Sequence, residues 1–313
     1  MSRYALSRLG WGILLVFAVT VITHAMLYVG SGDIARRLLG PMASPELLAK
    51  KREELGIDQP WPRQYWEWLT SAVRGDLGRS WLTGQSVTDG IRSRLGVTLS
   101  LVVATILVTA VVATLLGVAA ARRGGRIDSL IQFLSVLGVA IPGFLIALWL
   151  SVVFAVQLGW FNATGYTPLT TSFSGWRRSV TLPVVALSIA AIAGVAQQIR
   201  GSILDELGKD YVRTLRSRGL SESRVLYRHV LRNASGPALA ILGIQLIGLM
   251  GGAVFVEQIF VLPGMGQLAI TSAVASDVPM VMGVVVMTTI IVVVVNLLVD
   301  LAQGALNPKA RQR

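Results

Sequence analysis

Residues 210–233 read DYVRTLRSRGLSESRVLYRHVLRN, a polar and strongly basic stretch that interrupts two long apolar runs. Gly219 suits the left-handed conformation that commonly ends a helix, and Ser221 suits the N-cap of a second helix from about Glu222 to Asn233. On the N-terminal side, apolar residues follow the i, i+3, i+4, i+7 spacing of one amphipathic helix, at Ile203, Leu204, Leu207, Tyr211, Val212 and Leu215. The stretch therefore predicts two amphipathic helices with a corner at Gly219.

The composition of the whole chain indicates an integral membrane protein. The chain has 313 residues, of which 53% are hydrophobic and 14% charged, with a mean hydropathy of +0.66. Soluble domains carry about 25% charged residues. The chain has no cysteine, which excludes disulfides and thiolate sites. The net charge of +12 sits in short segments beside apolar runs, a distribution typical of membrane topology rather than of nucleic-acid binding.

Six apolar segments are long enough to cross a bilayer, which needs about 20 residues of helix. The predicted spans are Leu9–Gly30, Leu95–Ala121, Ser129–Leu158, Ser179–Ile199, Gly236–Val256 and Val278–Val299. Residues 31–94 are predicted to form a partly helical extracytoplasmic segment, and residues 200–235 a cytoplasmic coupling region. The predicted fold is one all-α transmembrane domain over residues 1–313. Trp61, Trp66, Trp68 and Trp81 either form an interfacial belt or pack the outer segment.

Lysine and arginine in the loops predict the orientation of the spans. The loop at residues 257–277 contains neither residue, and long segments such as residues 31–94 are translocated largely regardless of charge. This pattern favours both termini in the cytoplasm. The basic residues cluster after the second span, after the fourth span and at the C-terminus: Arg122, Arg123, Arg126; Arg200, Lys209, Arg213, Arg216, Arg218, Arg224, Arg228, Arg232; Lys309, Arg311, Arg313.

The motifs of catalysis are missing from the sequence. The pair Gly208-Lys209 is followed by Asp210, so it does not form the loop G-x-x-x-x-G-K-[ST] that cradles nucleotide phosphates. The two histidines lie far apart, and no acidic cluster has metal-ligand spacing. We therefore expect no catalytic residue, no metal and no cofactor bound by this chain. Polar candidates within the spans are Gln197, Gln198 and Gln245, which either line a pathway or form interhelical hydrogen bonds.

The predicted hairpin of residues 210–233 has two interpretations from its residues alone. Its arginines could bind anionic lipid on the inner leaflet. Alternatively, a hairpin that projects from the membrane could fill a groove in another protein, as amphipathic helices do. A sharp glycine corner favours the second interpretation, because lipid binding would not require one.

The same stretch resembles the cytoplasmic coupling motif of binding-protein-dependent ABC importer permeases. More narrowly, it is similar to the B-type subunit of the dipeptide, oligopeptide and nickel permease family. The resemblance covers nearly the whole chain and includes four further stretches in order: GPMASPELLAKKREELGIDQPWPRQYWEWLTSAVRGDLGRSWLTGQSV, QLGWFNATGY, VEQIFVLPGMGQLAITSAVASDVPMVMG and NLLVDLAQGALNP. Two positions depart from the family pattern. Residues 30–34 read GSGDI where PGDP is frequent, and Gly143 stands where serine is common.

The resemblance implies partners and residue roles. A second, homologous permease subunit would complete a heterodimer in a bacterial or archaeal cytoplasmic membrane, in contact with lipid. Two ATPase subunits, or one fused ATPase, would use ATP and Mg²⁺ below it, and an extracytoplasmic solute-binding protein would deliver the cargo. Tyr211, Val212 and Leu215 would insert into the ATPase groove. The acidic rim of that groove would meet Arg213, Arg216 and Arg228, and Gly219 would make the corner of the hairpin. The other predicted coupling residues are Asp210, Leu220 and Arg232.

Peptides are the cargo that the resemblance favours. Nickel, glutathione and haem-like ligands remain alternatives within the same machinery. Two other classes of protein also stay open, namely an ATP-independent secondary transporter and a membrane scaffold that transports nothing. The transporter class is expected to show broken helices with charged residues at mid-membrane, and charged residues are few in these spans.

Overall fold

The protein is described by a computed structural model that covers residues 2–30 and 34–306. Residues 31–33 and 307–313 lie outside the described residues; they hold most of the GSGDI departure, the end of the C-terminal signature and the C-terminal basic residues. Described residues fall into two compact units. Of the described residues, unit one contains 2–8, 99–262 and 294–306, and unit two contains 9–30, 34–98 and 263–293.

Helices make up nearly all of the described fold, and one isolated β-bridge joins Arg79 to Ser86. Two helices continue into π-helical turns, Gly143–Leu150 into Ser151–Gln157 and Glu222–Arg224 into Val225–Val230. The helices are α1 Ser2–Gly30, α2 Ile34–Leu39, α3 Pro45–Leu55, α4 Trp61–Val73, α5 Val87–Arg123, α6 Gly125–Ala140, α7 Gly143–Leu150, α8 Phe173–Leu207, α9 Asp210–Ser217, α10 Glu222–Arg224, α11 Leu231–Ile259, α12 Met265–Val274 and α13 Val278–Leu306.

The predicted membrane character is confirmed, because four described helices are long and apolar enough to cross a bilayer. The number of spans rises to as many as six if each of the two bent helix pairs counts as one span. The uninterrupted four are α1, α5, α8 and α13. One bent pair is Glu222–Gln245 with Ile247–Ile259, at 41°. The helices α5, α8 and α13 extend beyond the spans predicted for them.

The third predicted span, Ser129–Leu158, does not form one continuous helix. Helix α6 stops at Ala140, and the pair α6–α7 bends by 94°. Pro142 causes the break, because its ring disfavours the helical conformation at the preceding residue and it has no backbone N–H to donate. Ile141 accordingly adopts an extended conformation, with φ −83° and ψ 121°.

Unit one is built around α8. Sixty-one per cent of its most apolar stretch is buried, and it packs against α6, α7 and α11. Glycine permits a close approach of α5 to α8, because a Cβ at Gly117 of α5 would lie 2.8 Å from the carbonyl oxygen of Ala196. Because real Cβ atoms do not come this close to a carbonyl oxygen, α5 can pack against α8 here only without a side chain.

Unit two contains the segment that follows α1, and it is partly helical as predicted. Trp61 stacks on Tyr65 at 6.0 Å between ring centroids, and Trp68 lies 5.9 Å from the same ring. The Tyr65 hydroxyl pairs with Thr20 Oγ1 of α1 at 3.0 Å. These contacts favour the packing interpretation for Trp61 and Trp68, whereas the side chain of Trp66 is 63% exposed.

Candidate coupling site

The hairpin begins where α8 ends. The sequence predicted one amphipathic helix from Ile203 to Leu215, but the structure divides it, because α8 ends at Leu207 and α9 starts at Asp210. Lys209 takes an extended conformation between them, with φ −79° and ψ 150°. Asp210 then places a carboxylate in the first turn of α9, where the helix dipole stabilises negative charge. The apolar stripe thus continues over two helices rather than one.

The corner at Gly219 has the geometry of a Schellman motif. The backbone N–H of Leu220 donates to the Leu215 carbonyl at 3.3 Å, and that of Gly219 donates to the Arg216 carbonyl at 2.9 Å. Gly219 has φ +80°, and a Cβ there would meet nothing within 4 Å. Backbone conformation, and not lack of space, therefore demands glycine. The predicted left-handed corner is confirmed.

The second helix starts as predicted but does not end at Asn233. Ser221 is extended at the N-cap position, with φ −65° and ψ 146°, although its side chain makes no capping hydrogen bond. From Glu222 the chain passes through the π-helical turn Val225–Val230 directly into α11. Pro237 lies in the first turns of α11 and does not stop it. The hairpin is therefore continuous with the fifth apolar segment.

The inner face of the hairpin belongs to the core of unit one. Val212, Val225 and Val230 have no exposed surface and form one cluster with residues of α5, α8 and α11. Tyr211, Leu215 and Leu220 pack against this cluster and are partly buried. The predicted insertion of Val212 into an ATPase groove does not fit this packing, because its own chain already covers it. The apolar stripe anchors the hairpin to the spans.

Tyr211 of α9 connects α8 and α11 by hydrogen bonds. Its hydroxyl donates to Glu206 Oε2 of α8 at 2.8 Å and accepts from Asn233 Nδ2 of α11 at 3.2 Å. Lys209 also forms an ion pair with Glu206. Burial, and then the hydrogen bond to Glu206, raise the pKa of Tyr211. Glu206 and Asn233 were missed by sequence reasoning, because their roles depend on how α8 and α11 converge on α9.

The outer face of the hairpin is basic and exposed. Arg216 makes two hydrogen bonds to the Glu222 carboxylate across the corner, at 2.7 and 3.0 Å. These bonds lower the pKa of Glu222 and raise that of Arg216. Asp210 and Arg213 are also exposed, and their charged atoms are 3.9 Å apart. Further exposed basic side chains on this face are Arg218, Arg224, Arg228 and Arg232.

Another ion pair, between α8 and α6, lies beside the hairpin and was not predicted. Arg200 of α8 donates twice to Asp128 of α6, at 2.5 Å each. The sequence held a signal for it. Asp128 precedes the third predicted span and Arg200 follows the fourth, so the predicted topology places both residues at the same membrane boundary. The pair fixes α8 against α6 just before the hairpin.

The three glutamines have different environments. Gln197 is exposed on α8, which is otherwise the most buried apolar helix. Gln198 donates to Ser202 Oγ on its own helix at 3.3 Å. Gln245 of α11 packs over Gly194 of α8, where a Cβ would lie 2.8 Å from its Nε2. The position of Gln245 between two helices fits the interhelical interpretation, while Gln197 faces outward from its own chain.

Acidic and histidine side chains do not converge in this region. Across the described residues, no three His, Cys, Asp or Glu side chains are grouped so as to hold a metal ion. The site offers a rigid, cationic hairpin joined to two apolar helices.

Comparisons with known proteins match this chain to one family. The model of the binding-protein-dependent transport system inner membrane component matches residues 113–312, and that of its N-terminal region matches residues 1–102. A peptide transport system permease protein of Brucella abortus is 38% identical over 99% of both chains. The oligopeptide transport system permease protein AppB of Bacillus subtilis is 35% identical over 99% of both chains.

A third relative is named for a different cargo. The glutathione transport system permease protein GsiC of Escherichia coli is 33% identical over the full length of both chains. Family models and relatives together cover almost the entire sequence, including the hairpin. The chain therefore belongs to the family of binding-protein-dependent transport system inner membrane components, as a permease subunit of an ABC importer.

Proposed function

We propose that this chain is one of two membrane subunits of an ATP-driven importer for peptides. A homologous permease pairs with it, and an extracytoplasmic solute-binding protein delivers the peptide. This chain binds no nucleotide; its cytoplasmic ATPase partners use ATP and Mg²⁺. The names of the relatives support the peptide cargo, since two of the three are named for peptides or oligopeptides over full-length similarity.

The observation that carries the proposal is the shared core of the hairpin and the spans. Val212 of α9 and Val230 of the π-helical turn lie in one cluster with Ile199 and Ile203 of α8. Because interiors are close-packed, a push on the hairpin must displace α8 and α11 rather than slide over them. Allosteric coupling requires an element whose conformation is influenced from both sites. The packing of the hairpin against the spans provides such a mechanical link.

The exposed face of the hairpin supplies the contact with the ATPase. Arg213, Arg228 and Arg232 point away from the core and meet an acidic rim on that partner, while Gly219 presents the corner. Because Arg216 already binds Glu222, its guanidinium acts within the hairpin. The buried Val212 and the partly buried Tyr211 and Leu215 transmit the movement instead of forming the contact surface.

The proposed topology has six spans with both termini in the cytoplasm, so that α6–α7 and the helix from Glu222 to Ile259 each count as one span. Met42 is 97% exposed in the segment after α1, and Ser223 is exposed in the hairpin. In intact cells, an impermeant thiol reagent should label Met42→Cys and leave Ser223→Cys unlabelled. Labelling of Ser223→Cys from outside would reverse the orientation.

Reconstitution tests the function directly. Proteoliposomes that contain this chain, its partner permease and the ATPase subunits should take up a labelled peptide only with ATP and the binding protein. Uptake without ATP would instead identify a secondary transporter. Absence of uptake under every condition, with the complex intact, would identify a scaffold.

Competition identifies the cargo within the same assay. Unlabelled di- and oligopeptides should suppress uptake, and glutathione is the second candidate because one relative is named for it. Nickel and a haem-like ligand should not compete. Suppression by nickel alone would overturn the peptide proposal and leave the ATP-driven importer in place.

A further inference from the structure

A groove in unit one opens between the end of α5 and the start of α11. It has a volume of about 280 Å³. One wall comes from α5, with Leu115 and Val118, and the opposite wall from Tyr227 and Leu231. The two walls are far apart in sequence and are held together by the core cluster that contains Val118 and Leu226. The groove is therefore a fixed part of the packed unit.

The groove has a charged end and an apolar body. Arg122 and Arg123 line it directly after the apolar run of α5, where the helix leaves the predicted membrane region. Both guanidiniums are exposed, and neither has an ion pair or hydrogen bond with any other described residue. The side chain of Leu115, two turns earlier, is 65% exposed. Tyr227, which is 51% exposed, adds a hydroxyl to the wall.

We propose that this groove binds an anionic phospholipid, with the phosphate on Arg122 and Arg123 and one acyl chain along Leu115 and Leu231. Guanidinium groups match phosphate oxygens by paired hydrogen bonds. Basic pockets between membrane helices at the water boundary are typical sites for anionic headgroups. An acyl chain would cover the exposed Leu115, whereas a free phosphate ion would leave it bare.

The site needs only that α5 crosses the membrane, so it stands whether or not the cargo is a peptide. It also differs from the exposed outer face of the hairpin. Tyr227 lies just before α11, and Leu231 is the first residue of α11. A bound lipid would therefore contact the helix that leads from the Gly219 corner into α11. The lipid would thereby stabilise the junction between hairpin and span.

Binding of phosphatidylglycerol to the purified full-length chain tests the proposal, with native mass spectrometry as the readout. Replacing both arginines in Arg122→Gln/Arg123→Gln should weaken binding about 25-fold, because each basic residue near an anionic surface contributes about fivefold. Leu115→Asn, which leaves the charges in place, should also weaken it. The matched control is Arg126→Gln, an exposed arginine outside the groove, which should bind as the wild type does.

Four results would overturn the proposal. Unchanged affinity in the double arginine variant would exclude the groove as the site. Equal weakening by Arg126→Gln would mean that diffuse surface charge attracts the lipid. Displacement of the lipid by glycerophosphate or inorganic phosphate at equal concentration would identify a site for a free anion. In the complex assembled with the ATPase subunits in lipid-free detergent, loss of those subunits from the double variant would show that the groove is a protein contact.

Discussion

Two turns of this protein share one backbone motif and differ in the contacts that hold them. The turn at Gly219 ends α9, and the turn at Ser276 ends α12. In the second, the N–H of Asp277 donates to the Ser272 carbonyl at 2.9 Å and that of Ser276 donates to the Ala273 carbonyl at 3.1 Å. Both central residues have positive φ, +80° for glycine and +60° for serine.

The surroundings of the two turns explain why one needs glycine and the other does not. Ser276 and Asp277 are 5% and 2% exposed. The Asp277 carboxylate accepts from Ser80 Oγ at 2.5 Å and from the Trp81 N–H at 3.1 Å. These contacts can offset the strain of a side chain in the left-handed region. Gly219 is exposed, and the ion pair across its corner, between Arg216 and Glu222, is exposed as well, so glycine forms the corner without strain while leaving its surface open to a partner.

The largest expected effect falls on the buried turn. Asp277→Ala removes the acceptor of two hydrogen bonds and leaves the Trp81 N–H unpaired. We expect a loss of about 2–4 kcal/mol in the free energy of unfolding, since hydrogen bonds to charged groups are the stronger ones. Thermal unfolding followed by tryptophan fluorescence would measure it. Asp277→Asn, which keeps one acceptor oxygen, should lose less; equal stability of Asp277→Ala and wild type would show that the carboxylate does not hold the turn.

The second largest effect is expected for a substitution at Gly219, in the exposed turn, and it should reduce transport. Gly219→Val places a β-branched residue at φ +80°, at a strain of about 1–3 kcal/mol. Because straightening the corner relieves the strain, we expect weaker ATPase binding and loss of ATP-driven uptake, with normal membrane insertion. Ser217→Val, also exposed and in the same hairpin, should transport normally. Near-wild-type uptake by Gly219→Val would argue against the hairpin as the coupling element.

A substitution at Ser276 should have a smaller effect on the free energy of unfolding, and it should stabilise the protein. Ser276→Gly removes the Cβ that makes the left-handed conformation unfavourable, and we expect a gain of about 0.5–1 kcal/mol in the free energy of unfolding. Ser276→Ala keeps the Cβ and should bring no gain. If both variants are stabilised alike, the hydroxyl rather than the backbone conformation is the source of the strain.

The smallest effect concerns the ion pair across the Gly219 corner. The pKa of Glu222 is lowered, so its contribution is complete above the ordinary glutamate pKa and is lost as the pH falls through the lowered value. Amide hydrogen-exchange protection in residues 217–225 should decline over that acidic range. Glu222→Gln should show weaker protection without the decline. An identical pH profile in both proteins would mean that the ion pair does not order the corner.

Sequence reasoning located the exposed turn better than the buried one, for a local reason. A glycine between two charged amphipathic segments marks a corner by itself. The break between α8 and α9 escaped notice because the apolar stripe continues across it. The contact of Asp277 with Ser80 joins residues that are 197 positions apart, and nothing in the sequence indicates their proximity in space. Burial of Val212 was also hidden, since an apolar stripe does not reveal whether its own chain or a partner covers it.

The π-helical turn at Val225–Val230 sets the helical phase of α11 relative to the hairpin. In an α-helix, residues five apart differ by about 140° in angular position and would point to different sides. In a π-helical turn, which closes over i→i+5 bonds, they align. Val225 and Val230 are both fully buried in one cluster as a result. The extra residue rotates the apolar stripe of α11 by about 100° relative to a regular helix begun at Glu222. Deletion of one residue within this turn would therefore rephase the span against the preceding part of the hairpin, residues 210–224.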